Sequence, residues 1–150
     1  RMSRPLELLA LDVEGTLVSN AVSRVPRPRL HDFLEFCRAG FPRLLVYTGV
    51  DERRFRELAR QLVAEGAAPG WFADAKHVPW TGAYKDLGLL PDADVATSLL
   101  VDDMEACVHP EQLGRWVRIQ PFDRPYPDSD AELSRVMAVL AAHLAGIAGA

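Results

Sequence analysis

Short apolar runs alternate along this chain with longer stretches whose apolar residues recur at helical spacing. Uninterrupted short runs of this kind are typical of strands that are buried on both faces, as in a parallel sheet covered by helices. Each run ends in polar residues or glycine, so we interpret each as a separate strand. The predicted strands are residues 6–13, 44–47, 71–73, 98–101 and 116–119.

Three segments carry their apolar residues on one helical face. The first begins at Pro28, a residue favoured in the first turn, and ends at Gly40. Asp51 caps the second, which ends at Gly66. Residues 129–132, Ser-Asp-Ala-Glu, predict a capping box that opens the third. The predicted apolar faces are Leu30, Phe33, Leu34 and Cys37, then Phe55, Leu58, Ala59 and Leu62, then Leu133, Val136, Met137, Leu140 and Leu144.

Strands alternating with helices in this order predict one α/β domain over residues 1–150. The expected architecture is a three-layer, Rossmann-like fold with a doubly wound parallel sheet. Residues 17–28 contain prolines and polar side chains and predict a short hairpin or flap. The other gaps between strands are nearly filled by one helix and its connections, so we expect no large cap domain.

The composition favours a globular protein that binds neither nucleic acid nor membranes. Its 150 residues carry a net charge of −4, whereas a nucleic-acid binder needs a basic surface. No apolar run approaches the roughly 20 residues of a membrane span, and we expect a cytoplasmic protein. Two cysteines, Cys37 and Cys107, cannot form a disulfide framework and are expected to be reduced and buried. The pattern sets no oligomeric state, because the last helix can pack on its own sheet or on a partner.

Most of the candidate chemistry lies at the ends of three predicted strands. The residues are Asp12 with Glu14, Thr48 with Gly49, and Asp102 with Asp103. In an open parallel sheet the carboxyl ends of the strands share one edge, where ligands bind. Carboxylates that converge there repel one another unless a cation lies between them, and an all-oxygen ligand set favours Mg²⁺.

A carboxylate nucleophile is consistent with this arrangement. Asp12 can attack the phosphorus of a phosphate monoester and form an aspartyl-phosphate, which divides a very slow hydrolysis into two easier steps. The hydroxyl of Thr48 and the backbone N–H groups before the helix capped by Asp51 can hold a phosphoryl oxygen. A lysine would balance the remaining negative charge.

Four segments resemble the motifs of the haloacid dehalogenase superfamily, in the expected order. Residues 9–17, LALDVEGTL, are similar to the first motif, residues 46–49, VYTG, to the second, and residues 99–103, LLVDD, to the fourth. The third motif, a lysine, falls in residues 84–87, YKDL. Four motifs in order across most of the chain are a far stronger signal than any one of them.

The resemblance implies a role for each residue. Asp12 would be nucleophile and Mg²⁺ ligand, and Glu14 would be general acid/base and offer its backbone carbonyl to the metal. Lys76 is an alternative to Lys85, but we expect it to be a solvated loop lysine. The implied phosphate ligands are Thr48, Gly49 and Lys85, and the Mg²⁺ shell would be completed by Asp102 or Asp103.

The second half of the chain resembles a narrower group, the NLI-interacting-factor-like branch. The resemblance lies in residues 82–87, the acidic pair at 102–103, and residues 109–110, 121–123 and 129–133. Members of this branch dephosphorylate serine or threonine in extended peptides, which implies a phosphorylated protein as substrate. The chain departs from the branch at Glu14, where a second aspartate is usual, and at residues 103–105, Asp-Met-Glu. Enolase-phosphatase-like members also have glutamate at the first of these positions.

Two other functions remain open at this level. The first is a capless magnesium-dependent phosphatase that acts on sugar phosphates, other small phosphate monoesters or phosphotyrosine. The second is a binding module that keeps the fold without turnover. Trp80, in the segment before the motif lysine, is the tryptophan best placed to touch a substrate.

Overall fold

A central strand with neighbours on both sides organises the fold. The structure is a computed structural model that describes residues 4–146. Within that range, five parallel strands form one sheet in the order β3-β2-β1-β4-β5. The strands are β1 (Leu8–Leu11), β2 (Arg43–Thr48), β3 (Lys76–Pro79), β4 (Ser98–Asp102) and β5 (Trp116–Arg118), and the α-helices are α1 (Leu30–Gly40), α2 (Glu52–Ala64) and α3 (Glu132–Leu144).

The register of the sheet brings three strand ends together. Every residue of β1 is buried, as an aliphatic strand in the centre of a sheet should be. Its last residue, Leu11, pairs with Val46 of β2 on one side and with Val101 of β4 on the other. The chain builds outward from β1 through β2 to β3, and then crosses to β4 and β5. The reversal between β1 and β4 is the switch point at which open α/β sheets bind ligands.

Two different layers cover the sheet. The three α-helices pack on one face, with buried side chains that include Phe33, Phe55 and Leu133. Short 3-10 turns and loops cover the other face, where Leu87 and Val108 pack against the strands. The three-layer, Rossmann-like architecture predicted from the sequence is therefore confirmed. Within residues 4–146 the chain contains no large cap domain.

The boundaries of the second helix follow the predicted capping chemistry. The Oδ1 atom of Asp51 accepts a hydrogen bond from the backbone N–H of Arg54 at 2.9 Å, which satisfies a free donor of the first turn. Gly66 ends the helical segment with a φ of +76°, a conformation that glycine adopts without steric cost. Helix α1 begins at Leu30, two residues after the predicted Pro28, because Arg29 has a left-handed backbone.

The predicted third strand, residues 71–73, is wrong. Residues Gly70–Asp74 form a 3-10 helix, and the edge strand β3 follows it. The aromatic residues pack as helix neighbours, since Phe72 lies edge-on to Phe55 of α2 with ring centroids 5.5 Å apart. The true strand escaped detection because it is an exposed edge strand, with Lys76 and Pro79 at its ends.

The predicted capping box is also wrong. The residue before α3 is Ala131, whose side chain makes no cap, and Ser129 takes no part. The backbone N–H of Glu132 instead donates to Asp130 Oδ1 at 3.1 Å. The Glu132 carboxylate does not reach back to the Ser129 N–H as a capping box requires, because it accepts from Gln120 N and from Arg135.

Both cysteines are free and buried, as predicted. Cys37 lies on the inner face of α1, where burial raises the pKa of its thiol. Cys107 lies near the carboxyl end of β4, and burial raises its pKa as well. In the part of the chain that is described, no helix combines the length and the apolarity that crossing a bilayer would require.

Candidate active site

Three aspartates converge at the carboxyl edge of the sheet. Asp12 follows β1, Asp102 ends β4 and Asp103 comes next, and one carboxylate oxygen from each lies within 4.8 Å of the others. The pairing of β1 with β4 brings them together, because the backbone N–H of Asp12 donates to Val101 O at 3.0 Å. Residues some 90 positions apart in sequence are therefore neighbours, as the strand pattern predicted.

Lys85 lies between two of these carboxylates. Its Nζ donates to Asp12 Oδ1 at 2.7 Å and to Asp102 Oδ2 at 2.6 Å, and its side chain is almost fully buried. Burial by itself lowers the pKa of this ammonium, but the two carboxylates raise it above its ordinary value. Lys76, the alternative, lies exposed on the edge strand. The motif lysine is thus the one that reaches the cluster.

Asp12 is held in one orientation by hydrogen bonds to both of its oxygens. Lys85 donates to Oδ1, and the hydroxyl of Thr16 donates to Oδ2 at 2.7 Å. Burial raises the pKa of Asp12 from 3.8 to about 6, although Lys85 lowers it. In the sequence Thr16 is recognisable only as part of the first motif, and the resemblance implies no role for it. Its position four residues after the aspartate, in the turn that closes the motif, was the available signal.

The acidic pair after β4 presents two unequal carboxylates. Asp102 is fully buried, and its Oδ1 accepts from Met104 N at 2.9 Å. Asp103 is only partly buried and lies close to the turn after β1. In that turn Gly15 has a φ of +77°, and a Cβ there would lie 2.7 Å from Asp103 Oδ2. The positive φ favours glycine at position 15, and any larger residue there would also displace the Asp103 carboxylate.

Burial also shifts the pKa of both carboxylates of this pair. Burial, followed by the neighbouring charge of Asp12, raises the pKa of Asp102. Burial likewise raises the pKa of Asp103. Three carboxylates with raised pKa values in one place are the electrostatic condition in which a bound cation is stabilised.

Thr48 and Gly49 lie at the end of β2, beside the carboxylate cluster. The Thr48 oxygen accepts from Val50 N at 3.0 Å, which leaves its hydroxyl hydrogen free to donate. Helix α2 begins three residues after Gly49, so its N-terminal N–H groups point toward the same edge. Both residues line the same cavity of about 150 Å³ as Asp12 and Lys85.

The side chain of Glu14 lies apart from the three aspartates. It lines the cavity but is exposed, and its Oε2 accepts from Ala21 N at 2.7 Å. Ala21 belongs to the flap predicted over residues 17–28, so the glutamate joins the flap to the cavity. The carboxylate cluster contains Asp12, Asp102 and Asp103 without it.

A buried arginine stabilises the first motif through its backbone carbonyls. Arg27 donates to the carbonyls of Gly15 and Thr16 at 3.2 and 3.3 Å and pairs with Asp130 through two hydrogen bonds of 2.9 and 3.0 Å. A further bond reaches Gln120 O at 2.7 Å. Sequence reasoning missed this residue because it lies between two prolines in a segment that was read as a flap.

The donor set fits a hard divalent cation. All three clustered side chains offer carboxylate oxygens, which Mg²⁺ prefers over nitrogen or sulfur. Cys107 also lines the cavity, but its thiol is a soft ligand, which Mg²⁺ disfavours. No histidine belongs to the cluster formed by the described residues.

The fold and the site together define a class. A parallel α/β sheet that presents an aspartate after β1, a threonine after β2, a lysine and an acidic pair after β4 has the architecture of a haloacid dehalogenase-type phosphatase. A family model described as NLI interacting factor-like phosphatase matches residues 7–149. The chain therefore belongs to this family of phosphoric monoester hydrolases. Among curated proteins, no match to the chain was found.

Proposed function

We propose that this protein hydrolyses phosphate monoesters on serine or threonine of proteins, with Asp12 as the nucleophile and Mg²⁺ as the cofactor. The observation that carries the proposal is the convergence of Asp12, Asp102 and Asp103 within 4.8 Å beside the Lys85 ammonium. This proposal assigns the catalytic groups to one domain formed by residues 1–150. The two reduced cysteines are consistent with a cytoplasmic protein.

Asp12 forms the first new bond in the proposed reaction. A carboxylate oxygen of Asp12 bonds to phosphorus as the ester P–O bond breaks, which gives an aspartyl-phosphate and releases the alcohol. The Thr16 and Lys85 hydrogen bonds orient the carboxylate for this attack. Water then attacks phosphorus, the bond to Asp12 breaks, and inorganic phosphate leaves.

Three groups are proposed to hold the phosphoryl oxygens. The Thr48 hydroxyl and the Gly49 backbone N–H donate hydrogen bonds, and Lys85 supplies a positive charge. The proposed Mg²⁺ ligands are Asp12, Asp102, Asp103 and the backbone carbonyl of Glu14. An Mg²⁺ ion held by these groups would neutralise the carboxylates and withdraw charge from the phosphoryl oxygens.

Glu14 is the proposed general acid and base. It gives a proton to the departing alcohol oxygen in the first step and takes one from the attacking water in the second. Support comes from its place on the cavity wall together with Asp12. Its tether to Ala21 N must be released or shared when it acts, so flap position and proton transfer are coupled.

A protein substrate is favoured by the surroundings of the cavity. The cavity holds about 150 Å³, enough for a phosphoryl group and little else. Two apolar side chains adjacent in sequence to site residues are exposed, Met104 by 53% and Tyr84 by 40%, and Met104 lines the cavity. Exposed apolar side chains beside a small anion pocket suit a polypeptide that presents one phosphorylated side chain.

The nucleophile is tested by Asp12→Asn. We expect at least a roughly 10⁴-fold loss of p-nitrophenyl phosphate hydrolysis, because the amide cannot form the covalent intermediate. Trapping with labelled substrate and acid quenching should yield a phosphorylated wild-type chain and an unlabelled variant. Full activity in the variant would disprove the assignment. Hydrolysis that is insensitive to EDTA and added Mg²⁺ would disprove the cofactor.

The general acid is tested by a conservative pair of variants. Glu14→Gln should slow turnover by about 10²–10⁴-fold, because the amide transfers no proton. Glu14→Asp restores the shorter carboxylate usual in the family and should retain more activity than the glutamine variant. Equal activity in wild type and Glu14→Gln would exclude the role. A panel of phosphopeptides and small phosphate esters then identifies the substrate, and preference for sugar phosphates would contradict the protein assignment.

A further inference from the structure

Trp80 contacts both elements that are proposed to bind phosphate. Its backbone N–H donates to Thr48 O at 2.9 Å, which joins it to the end of β2. The edge of its indole lies beside Gly49, where a Cβ would be 3.5 Å from Trp80 Cε3. Its ring face lies 5.1 Å from Lys85 Nζ, within the range of a cation–π interaction. One side chain therefore touches the threonine loop and the lysine.

The indole N–H of Trp80 is buried without a hydrogen-bond acceptor among residues 4–146. The other two tryptophans differ, since Trp71 Nε1 donates to Glu35 at 2.6 Å and Trp116 Nε1 donates to Asp102 O at 2.9 Å. A buried donor without an acceptor costs free energy unless water or a ligand satisfies it. Trp80 also lines the cavity that contains Asp12, so a phosphate compound bound there lies against its side chain.

We propose that Trp80 is a positioning residue of the phosphate site, whose ring face holds the Lys85 ammonium and whose Nε1–H donates to an oxygen of the bound phosphate compound. The inference rests on the proposed function, because it takes the same cavity as the phosphate site. It extends that function by explaining how a lysine attracted to two carboxylates stays directed at the cavity. The ring face favours the cation without supplying a competing charge.

Kinetics of two variants separate the two roles of the indole. Trp80→Phe keeps an aromatic face and loses the N–H, so KM for p-nitrophenyl phosphate should rise about threefold to tenfold with kcat unchanged. Trp80→Leu loses the face as well and should lower kcat/KM by about a further tenfold, through kcat. Trp71→Phe is the matched control and should behave as wild type, because Trp71 is bonded to Glu35 of α1. Equal kinetics for the leucine and phenylalanine variants would overturn the role of the ring face.

Nuclear magnetic resonance of the indole N–H groups tests the hydrogen bond without turnover. The chain has three tryptophans, and the Trp80→Phe variant identifies the Trp80 resonance by its loss. Titrating the wild type with inorganic phosphate and Mg²⁺ should move this resonance downfield and leave that of Trp71 in place. A Trp80 resonance that stays fixed while phosphate still inhibits hydrolysis competitively would overturn the hydrogen bond. If the protein shows no hydrolysis but phosphate moves the Trp80 resonance, the proposed function fails while the positioning of phosphate stands.

Discussion

Two buried cations, Lys85 and Arg27, contact different residues of the first motif and have different surroundings. Arg27 is completely enclosed, and its donors are satisfied by Asp130 and by three backbone carbonyls. Lys85 binds two carboxylates in a cluster of three, so negative charge there remains in excess. The first arrangement is complete within the protein, whereas the second is balanced only by a further cation.

Because of this difference, we expect Arg27 to act on the stability of the fold and Lys85 to act on catalysis, although both contact the same short segment. The Arg27 carbonyl contacts fix residues 15 and 16, and Thr16 in turn fixes Asp12. Removing a partner from a closed buried pair leaves an uncompensated charge and strongly destabilises a fold. Carboxylates with raised pKa values can instead take up protons or a metal ion. We therefore expect changes at Arg27 to unfold the protein and changes at Lys85 to inactivate it.

The largest effect on stability is expected from Arg27→Met. The change leaves the Asp130 carboxylate and three carbonyls without their donor, and the free energy of unfolding in urea should fall by about 3–5 kcal/mol. Arg29→Met is the control, since Arg29 makes an exposed ion pair with Asp32 and should matter by less than about 1 kcal/mol. Equal losses in the two variants would remove the distinction between the closed cluster and the surface.

Lys85→Met, in contrast to Arg27→Met, should lower activity more than stability. Loss of the ammonium should lower kcat/KM by about 10²–10³-fold, the usual effect of removing one group that stabilises transition-state charge. In the presence of Mg²⁺ its free energy of unfolding should fall by less than that of Arg27→Met, because the metal still balances the carboxylates. Urea denaturation and p-nitrophenyl phosphate kinetics on both variants give the comparison directly. A Lys85 variant that unfolds as readily as the Arg27 variant would contradict it.

The smallest effect is a pH dependence of stability in EDTA. The folded pKa of Asp12, about 6, exceeds its ordinary value of 3.8, so the folded state binds more protons between these values. The wild type should therefore lose stability relative to Asp12→Asn as pH rises from 4 to 6, by up to about 3 kcal/mol. Urea unfolding of both proteins at each pH measures the difference. Saturating Mg²⁺ should abolish the loss, and a difference that is constant with pH would refute the assigned cause.

The sequence predicted which residues converge better than it predicted the edges of the fold. Asp12, Thr48 and Asp102 follow strongly apolar strands, and a parallel sheet places the ends of such strands together. The edge strand β3 was missed because its exposed side carries polar residues and proline, and the more apolar sequence just before it forms a 3-10 helix. A run of apolar residues indicates a strand that is buried on both faces, whereas an edge strand is only half buried and therefore lacks such a run.

The remaining errors share a different cause, which is long-range pairing of polar groups. The capping box failed because the Glu132 carboxylate accepts from the backbone N–H of Gln120, 12 positions earlier in the chain. Arg27 itself escaped notice because most of its acceptors are backbone carbonyls, which every residue type supplies. The position of Glu14 was foreseen, but its bond to Ala21 depends on how the flap folds back. Local sequence carries no record of such partners.

The span between Arg27 and Asp130 has a consequence for the protein during its synthesis. Ribosomes extend chains from the N-terminus, so the guanidinium emerges long before the aspartate that encloses it. Until Asp130 has been made, the arginine that supports the turn after β1 lacks its carboxylate partner. Asp102 is also made long after Asp12. A growing polypeptide thus lacks part of the proposed site until residues 102–130 have been made, and we expect phosphoester cleavage only after that segment has folded.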